Sequence, residues 1–294
     1  MNKKILIVGL ARNCSEVIFE NIRTLKYAFS GHSVQFLVIE SDSSDETVSE
    51  LKKIKQKITD FEFISLGSLS DQFPLRTDRI AQCRNAYLSE INTNPKYSSI
   101  DFVVMADLDG VNQLLTPHAI ASCWTRDDWD VCTANQKYAY YDIFALRHPL
   151  WSPNDCLKHY NFLRQYNVNK EKALYIAIHS KMLTIPKNSE WIEVDSAFGG
   201  LGIYKKNILS NLVYTGLDND GNEICEHVPF HQQIRARGYK IFINPALIND
   251  SRKFDYMNRY IWFQTLRRYI KNLIIRPITT LWLRIKTLKA FNKR

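Results

Sequence analysis

The sequence predicts an α/β fold in which a mostly parallel central sheet is covered by helices on both faces. Short apolar runs alternate with amphipathic stretches through the first half of the chain, which is the signature of parallel strands joined by crossover helices. The chain has 294 residues, of which 45% are hydrophobic, so it is long enough to bury a substantial core.

The first half of the chain supplies most of the regular elements. Apolar runs predict strands at 5–8, 34–39, 61–64 and 102–105. Helical spacing between them predicts helices at 15–28, 46–57 and 77–91. Ligands of such sheets bind beyond the carboxyl ends of the strands. Asn13, the turn at 40–42 and the turn at 107–109 each follow a strand, so we expect them on one rim of the sheet.

The second half is less regular. Strands are predicted at 130–134, 142–146, 194–204 and 239–243, the last ended by Asn244 and Pro245. Helices are predicted at 155–166, 205–211 and 227–237. The composition changes near Asp250, which divides the chain into a folded domain over 1–250 and a basic tail over 251–294.

The positive charge is concentrated in that tail. The formal net charge is +9, but residues 252–294 hold twelve Lys or Arg and one acid, so the rest of the chain is about neutral. Apolar residues recur there at helical spacing together with Trp and Tyr, which predicts a basic amphipathic helical extension suited to an anionic membrane surface. Packing of these helices on the body or on a second subunit is the alternative. Nucleic acid is not expected as a partner, because no recognition fold accompanies the charge.

The expected location follows from what the chain lacks. No apolar stretch approaches the roughly 18 to 20 residues that span a bilayer, and the run at 5–11 is too short for a signal peptide. The six cysteines show no CxxC spacing and are interpreted as reduced thiols. We expect a cytoplasmic protein, peripheral on the inner face of the membrane.

An acidic tripeptide follows the fourth predicted strand. Asp107 and Asp109 flank Leu108, so their side chains lie on one side of an extended backbone, and Gly110 permits a turn away. Paired carboxylates suit a hard divalent cation, Mn²⁺ or Mg²⁺, shared with a diphosphate. Asp107 and Asp109 are therefore the predicted metal ligands, with Asp107 also contacting the nucleotide sugar. A solvated turn that caps a helix is the alternative.

Further polar residues are predicted on the same rim. Glu40 and Asp42 follow the second strand, where they could bind a ribose or base, although an acidic first helical turn is the plain alternative. Asn13 follows the first strand. Arg84 is the first choice for a diphosphate ligand, since a guanidinium matches phosphate oxygens.

The order of these segments resembles a GT-A glycosyltransferase domain over approximately residues 3–250. It runs through Asn13, the turns at 40–42 and 107–109, and the segments at 84–85, 198–200 and 225–227. Segments 141–147 and 196–200 are more specifically similar to fungal capsule-associated α-1,3-mannosyltransferases and bacterial capsule and lipopolysaccharide glycosyltransferases. The resemblance implies a nucleotide-diphosphate-sugar donor, a divalent cation held by Asp109, and an acceptor site in the second half.

One segment departs from the family pattern. Glu226 and His227 stand where many inverting members have Glu-Asp, so His occupies the place of the catalytic Asp. Glu226 could deprotonate an acceptor or cap a helix, and His227 could be a base or a metal ligand. His231, four residues later, is expected to be structural.

Two more positions have open interpretations. Gly199 and Gly200 could let the backbone approach a sugar closely, or could mark a bulged strand. Asp142 could orient donor or acceptor hydroxyls, or could simply pair with Arg147.

Together these observations predict a metal-dependent glycosyltransferase that moves a hexose from a nucleotide-diphosphate sugar to a surface glycan, either capsule, lipopolysaccharide or another lipid-linked saccharide. A sugar nucleotidyltransferase is the first alternative, although its glycine-rich opening loop is poorly matched by residues 9–13. A catalytically silent membrane adaptor on the same fold is the second.

Overall fold

A mixed sheet of eight strands forms the centre of the molecule. The computed structural model describes residues 2–251, and the sheet order is β3-β2-β1-β4-β7-β5-β8-β6. The strands are β1 (Lys4–Ala11), β2 (Ser33–Glu40), β3 (Phe61–Ser65), β4 (Phe102–Ala106), β5 (Val131–Gln136), β6 (Ile192–Val194), β7 (Leu201–Lys205) and β8 (Ile241–Asp250). Strands β6 and β7 run against the other six, so the sheet is mostly parallel as predicted.

Helices cover both faces of this sheet. They are α1 (Ile18–Ala28), α2 (Thr47–Lys57), α3 (Arg76–Thr93), α4 (Pro117–Ala121), α5 (Cys156–Gln165), α6 (Lys170–Ala177) and α7 (His227–Ala236). Side chains alternate along β1: Ile5 and Ile7 belong to the core under α1 and α2, whereas Leu6 and Val8 belong to the core under α3 and α7. The predicted α/β class is therefore confirmed, with one hydrophobic core on each face.

The strand order determines where a site can form. β1 pairs in parallel with both β2 and β4, so the three strands end at one edge, at Ala11, Glu40 and Ala106. The polar turns that follow these strands consequently share one rim, as the sequence predicts.

The second half corrects several predicted elements. The predicted strand at 142–146 is a turn, because the Asp142 side chain accepts a hydrogen bond from Ala145 N. The strand at 194–204 is broken into β6 and β7, since Gly199 and Gly200 have φ of 66° and 86°.

One strand boundary and some of the helices also differ from prediction. β8 continues through Pro245 to Asp250. The pairing of β8 with β5 shifts register around this proline, so Pro245, which has no N–H, need not donate a hydrogen bond to β5. The helix predicted at 205–211 is a single 3₁₀ turn, and Asn211, with φ of 54°, turns the chain away from helical geometry. Helix α6 was not predicted, although the Asn169 side chain caps it.

The predicted tail over 251–294 lies outside the described residues, apart from Ser251. Within residues 2–251, no helix is long and apolar enough to cross a bilayer.

A close backbone contact joins the loop before α7 to the first turn of α3. A Cβ at Gly216 would lie 2.1 Å from the Thr77 carbonyl oxygen, so Gly216→Ala must displace backbone. We expect this change to lower the free energy of unfolding by about 1–3 kcal/mol, measured by urea denaturation. Gly31→Ala is the control, since nothing lies within 4 Å of its added Cβ. Equal losses in the two variants would contradict this packing.

Candidate functional site

A cavity of about 350 Å³ opens at the carboxyl ends of β1, β2 and β4. One face of α3, the turn after β5 and the start of α7 complete its walls. Predicted site residues found in its lining are Asp42, Arg84, Asp107, Asp109, Glu226 and His227. Asp142 also lines it, so four carboxylates from three distant segments, those of Asp107, Asp109, Asp142 and Glu226, face one space together with Asp42 from the loop after β2.

The acidic tripeptide is held from behind by the main chain. Asp107 N donates to Gly200 O at 2.9 Å, and the Asn112 side-chain amide donates to both Asp107 O and Gly200 O. Asp109 is exposed, and its carboxylate accepts from Val111 N at 3.2 Å across the turn at Gly110, where φ is 95°. The two carboxylates are thus presented on a rigid turn.

Arg84 is a buried cation beneath these carboxylates. Its Nε donates to Glu226 Oε1 at 2.8 Å, and one Nη donates to Tyr87 Oη at 3.1 Å. Its other Nη lies 3.8 Å from Asp107 Oδ1. Since Glu226 is also buried, this is an internal ion pair rather than a surface one. The predicted role of Arg84 as a diphosphate ligand stays a prediction, and its present partners are two carboxylates and the Tyr87 hydroxyl.

Crowding of negative charge perturbs the titration of Asp107. Burial is the main cause that raises the pKa of Asp107 to about 7, and Asp109, Asp142 and Glu226 raise it further, whereas Arg84 opposes them. About 39% of the Asp107 side chain is still open to the cavity, so this group is reachable by a ligand even though protein surrounds it. A site with this excess of carboxylate favours a cation.

Helix α3 presents a stripe of residues to the cavity. The lining residues of this helix recur at spacings of three and four, and they are Arg76, Arg79, Ile80, Cys83 and Arg84. Arg76 is exposed, while an Arg79 Nη donates to the carbonyl oxygens of Phe73 and Pro74. Arg79 and Arg84 therefore share the cavity although they are five residues apart. The cavity therefore has an exposed cationic group, Arg76, and a buried one, Arg84.

Asp142 sits opposite, in the turn after β5. Its Oδ1 accepts from Ala145 N at 3.2 Å and its Oδ2 from Gly199 N at 2.9 Å. Asp142 does not form the alternative pair with Arg147. Arg147 instead donates a hydrogen bond to the Asp155 carboxylate at 2.5 Å. Burial is the main cause that raises the pKa of Asp142, against the lowering effect of its two backbone hydrogen bonds.

Gly199 and Gly200 lie behind the cavity and not in its lining. A Cβ on Gly199 would meet the Gln136 side-chain nitrogen at 2.7 Å, and one on Gly200 would meet Val111 at 2.6 Å. Protein fills the space beside both glycines, and their backbone groups hold Asp107 and Asp142 instead. Direct contact with a sugar stays a prediction for this pair.

Glu40 and Asn13 organise the loop after β2. The Glu40 carboxylate accepts from Ser43 N at 3.0 Å and from the Ser65 hydroxyl. Asn13 Oδ1 accepts from Ser44 N at 2.7 Å, and neither residue belongs to the cavity lining. Their predicted nucleotide contacts stay predictions, since their side chains have partners within the loop.

Asp42 reaches the cavity from the same loop. Its φ of 56° is left-handed, and its Oδ1 accepts from Leu69 N and Ser70 N at 2.9 Å each. These bonds order the loop after β3 against the cavity wall. The nucleotide role predicted for Asp42 is compatible with this position and stays a prediction.

The two histidines of α7 differ in their surroundings. His227 is buried against Phe198 with ring centroids 3.9 Å apart, and neither ring nitrogen has a hydrogen-bond partner. Burial first, and then Arg84, lowers the pKa of His227 well below its usual value. His231 instead bonds to the hydroxyls of Ser196 at 2.9 Å and Tyr204 at 2.8 Å. His231 is thus structural, as expected.

The donor atoms at the cavity fit a divalent cation that is shared with a substrate. No group of three or more His, Cys, Asp or Glu side chains poised to hold a metal occurs within residues 2–251. Mg²⁺ and related ions commonly use one or two carboxylates plus substrate phosphates rather than a full protein cage. Asp107 and Asp109 offer such oxygens, whereas the metal role of His227 stays a prediction.

A buried amide network behind the site was not predicted. Asn249 Nδ2 donates to Asn112 Oδ1 at 3.0 Å and to Gly199 O at 2.8 Å, and Gln136 Nε2 donates to Gly199 O at 3.0 Å. These residues join the end of β8 to the turns that carry Asp107 and Asp142. The sequence places Gln136 and Asn249 beyond the predicted ends of two strands, but nothing in it pairs these amides with each other.

Comparison with known proteins gives distant structural similarities. No protein-family model and no curated protein sequence matches the chain. The chain is similar to S. aureus TarS residues 1–349, with 14% identity and a TM-score of 0.45 over 82% of this chain and 57% of that one. It is similar to the mannosyltransferase PcManGT of Pyrobaculum calidifontis, solved with GDP-Man and Mn²⁺, with 13% identity and a TM-score of 0.47 over 84% and 56%.

A third similarity is to glucosyl-3-phosphoglycerate synthase of Mycobacterium tuberculosis, with 15% identity and a TM-score of 0.38 over 71% of this chain and 58% of that one. The chain therefore spans slightly more than half the length of each of these structures. The expected resemblance to GT-A glycosyltransferases has counterparts among solved structures, while the narrower resemblance to capsule-associated enzymes stays a prediction. At these TM-scores, substrate and activity must be inferred from the cavity itself.

The buried His231 makes stability depend on pH. Burial lowers the pKa of His231 to about 3, against 6.5 for an ordinary histidine, so only the unfolded state takes up its proton as the pH falls below 6.5. Between pH 6 and pH 4, the wild type should lose about 1 kcal/mol more per pH unit than His231→Gln. Urea unfolding curves at each pH measure this difference, and parallel pH dependences would contradict the assignment.

Proposed function

We propose that this chain is a metal-dependent glycosyltransferase that moves a hexose from a nucleotide-diphosphate sugar to a hydroxyl of a saccharide. The observation that carries the proposal is the set of charges in one cavity, which combines these four carboxylates with a stripe on α3 that includes three arginines. A donor of this class has an anionic diphosphate beside an uncharged sugar, and it also needs a cation at the scissile bond.

Asp109, with Asp107 assisting, would hold the divalent cation. When bound, such a cation acts as a Lewis acid on the leaving nucleoside diphosphate. Asp109 is the more exposed of the two, whereas Asp107 lies closer to Arg84. The rigid turn at Gly110 keeps both carboxylates in place before the ligand arrives, which limits the entropy lost on binding.

The arginines of α3 suit the anionic part of the donor. Arg76 is exposed at the cavity wall, while Arg79 is already oriented by two carbonyl oxygens. Arg84 contributes its charge from the floor. On this assignment, Asp42 lies on the side of β2 where the nucleoside would rest.

The sugar nucleotidyltransferase alternative is less well supported. Its opening loop would need backbone groups free to cradle a triphosphate. Gly9 instead packs inside the sheet, where an added Cβ would lie 2.7 Å from both Ala106 O and Leu108 Cδ1. The glycine is explained by close packing against β4, which leaves the strand end without a phosphate-binding loop.

The acceptor would be a surface glycan or its lipid-linked precursor. This part of the proposal rests on the basic tail over 251–294, whose charge and apolar spacing suit an anionic membrane surface. A folded catalytic domain over 1–250 held at such a surface would meet a lipid-linked saccharide there. A catalytically silent adaptor would account for the tail, but it would not account for the four carboxylates that line the cavity.

The metal role of Asp109 can be tested directly. A thermal-shift screen of UDP-, GDP- and CMP-sugars, GDP-mannose among them, with and without Mn²⁺ first identifies the donor, since a bound ligand raises the melting temperature. Asp109→Asn should then abolish the Mn²⁺-dependent shift and lower the turnover of that donor at least about 100-fold, because the cation is lost.

The matched control is Asp60→Asn, an exposed carboxylate before β3 at the opposite edge of the sheet. It should keep the wild-type shift and turnover. Full Mn²⁺-dependent activity in Asp109→Asn would remove the centre of the proposal.

A further inference from the structure

The proposed reaction requires a group that takes a proton from the acceptor hydroxyl. Asp107 and Asp109 are assigned to the cation and Asp42 to the nucleoside, so the remaining candidates in the cavity lining are Glu226, His227 and Asp142. The resemblance in sequence points to the first two, because they stand at the family's base position. Their surroundings in the structure point elsewhere.

Glu226 is already committed to a cation. Its Oε1 accepts from Arg84 Nε at 2.8 Å and lies 3.6 Å from His227 Nε2, and only about 8% of its side chain is exposed. Proton uptake by Glu226 would leave the buried guanidinium without its charge partner, which is costly in a low-dielectric interior. A group held in this way stabilises the site but is a poor acceptor of protons.

His227 is also badly placed for the task. It is only 2% exposed and stacks face to face on Phe198. Protonation would create a second buried cation beside Arg84, with Glu226 already engaged. The imidazole therefore serves better as a neutral part of the cavity floor.

Asp142, unlike these two groups, is accessible from the cavity, and within the described residues it is not bonded to a cation. It is only partly buried, it lines the cavity, and its direct partners are the backbone amides of Gly199 and Ala145. Two amide donors fix the direction of the carboxylate while leaving a lone pair on each oxygen for a substrate hydroxyl. Phe144 and Phe198, also in the lining, offer apolar surface to a sugar ring.

We propose that Asp142, and not Glu226 or His227, is the catalytic base that accepts the proton of the acceptor hydroxyl. This inference rests on the proposed function. The acceptor oxygen forms a bond to the anomeric carbon while the bond from that carbon to the diphosphate oxygen breaks. The electron pair leaves with the nucleoside diphosphate, and the hydroxyl proton passes to Asp142. Attack from the side opposite the diphosphate inverts the configuration at the anomeric carbon.

Other charged groups around Asp142 are consistent with this role. Glu226 raises the pKa of Asp142 and Arg147 lowers it, after the larger effects of burial and of the two backbone hydrogen bonds. Arg147 is held away by Asp155 and by the carbonyl oxygens of Phe144 and Leu146. No guanidinium is therefore bonded to Asp142 within the described structure.

The test compares full-length Asp142→Asn with Glu226→Gln. The donor identified by thermal shift is supplied with Mn²⁺, and methyl α-mannopyranoside, methyl β-glucopyranoside and water serve as acceptors. Asp142→Asn should bind the donor within about threefold of wild type, yet its kcat should fall at least about 100-fold. Glu226→Gln should lose thermal stability, but its side-chain oxygen can still accept from Arg84 Nε, so below its melting temperature kcat should stay within about tenfold of wild type.

Three further measurements decide between outcomes. Asp220→Asn, an exposed carboxylate in the same half of the chain, is the matched control and should behave as wild type. In Asp142→Ala, added formate should restore part of the lost kcat, which a purely structural role would not allow. The anomeric configuration of the product, read by NMR, should be inverted.

Any one of three results would overturn the proposal. The first is a kcat within tenfold of wild type in Asp142→Asn, and the second is a 100-fold loss of kcat confined to Glu226→Gln. The third is a product with retained configuration. If the wild type bound no nucleotide sugar with Mn²⁺, the proposed function itself would fail instead.

Discussion

The buried ion pair between Arg84 and Glu226 is the interaction on which the rest of the site depends. Four carboxylates meet in one cavity, and repulsion among them would open it without a compensating charge. Arg84 supplies that charge from α3, in contact with Glu226 at the start of α7 and near Asp107 at the end of β4. One guanidinium thus joins three elements that are far apart in the sequence.

Much of the proposed donor side could be predicted from the sequence because its signals are local. An apolar run ending in Asp107-Leu108-Asp109 identifies both a buried strand and the acidic turn beyond it, and parallel topology then brings Asp42 to the same rim. The helical stripe on α3 was only partly foreseen. Only Arg84 was singled out from the sequence, yet a cavity that follows two turns of helix also contacts Arg79, five residues earlier.

The acceptor side could not be predicted in the same way, because its contacts join distant residues. Asp142 lies in a segment with the apolar composition of a strand, and one of the two bonds that orient its carboxylate comes from Gly199 N, 57 positions away. Likewise, Glu226 stands in the chain directly before the position where the resembled glycosyltransferases have their catalytic Asp. Its partner Arg84 lies 142 residues earlier, so its commitment to an ion pair is visible only in three dimensions.

A double-mutant cycle on the pair measures this central interaction most directly. Free energies of unfolding are determined by urea denaturation for the wild type, Arg84→Met, Glu226→Gln and the double variant. Each single change leaves a buried charge unpaired, so we expect losses of about 3–5 kcal/mol and a coupling energy of at least about 2 kcal/mol. Losses that add within about 0.5 kcal/mol would contradict the account, because Arg84 would then not be the charge that holds the cavity together.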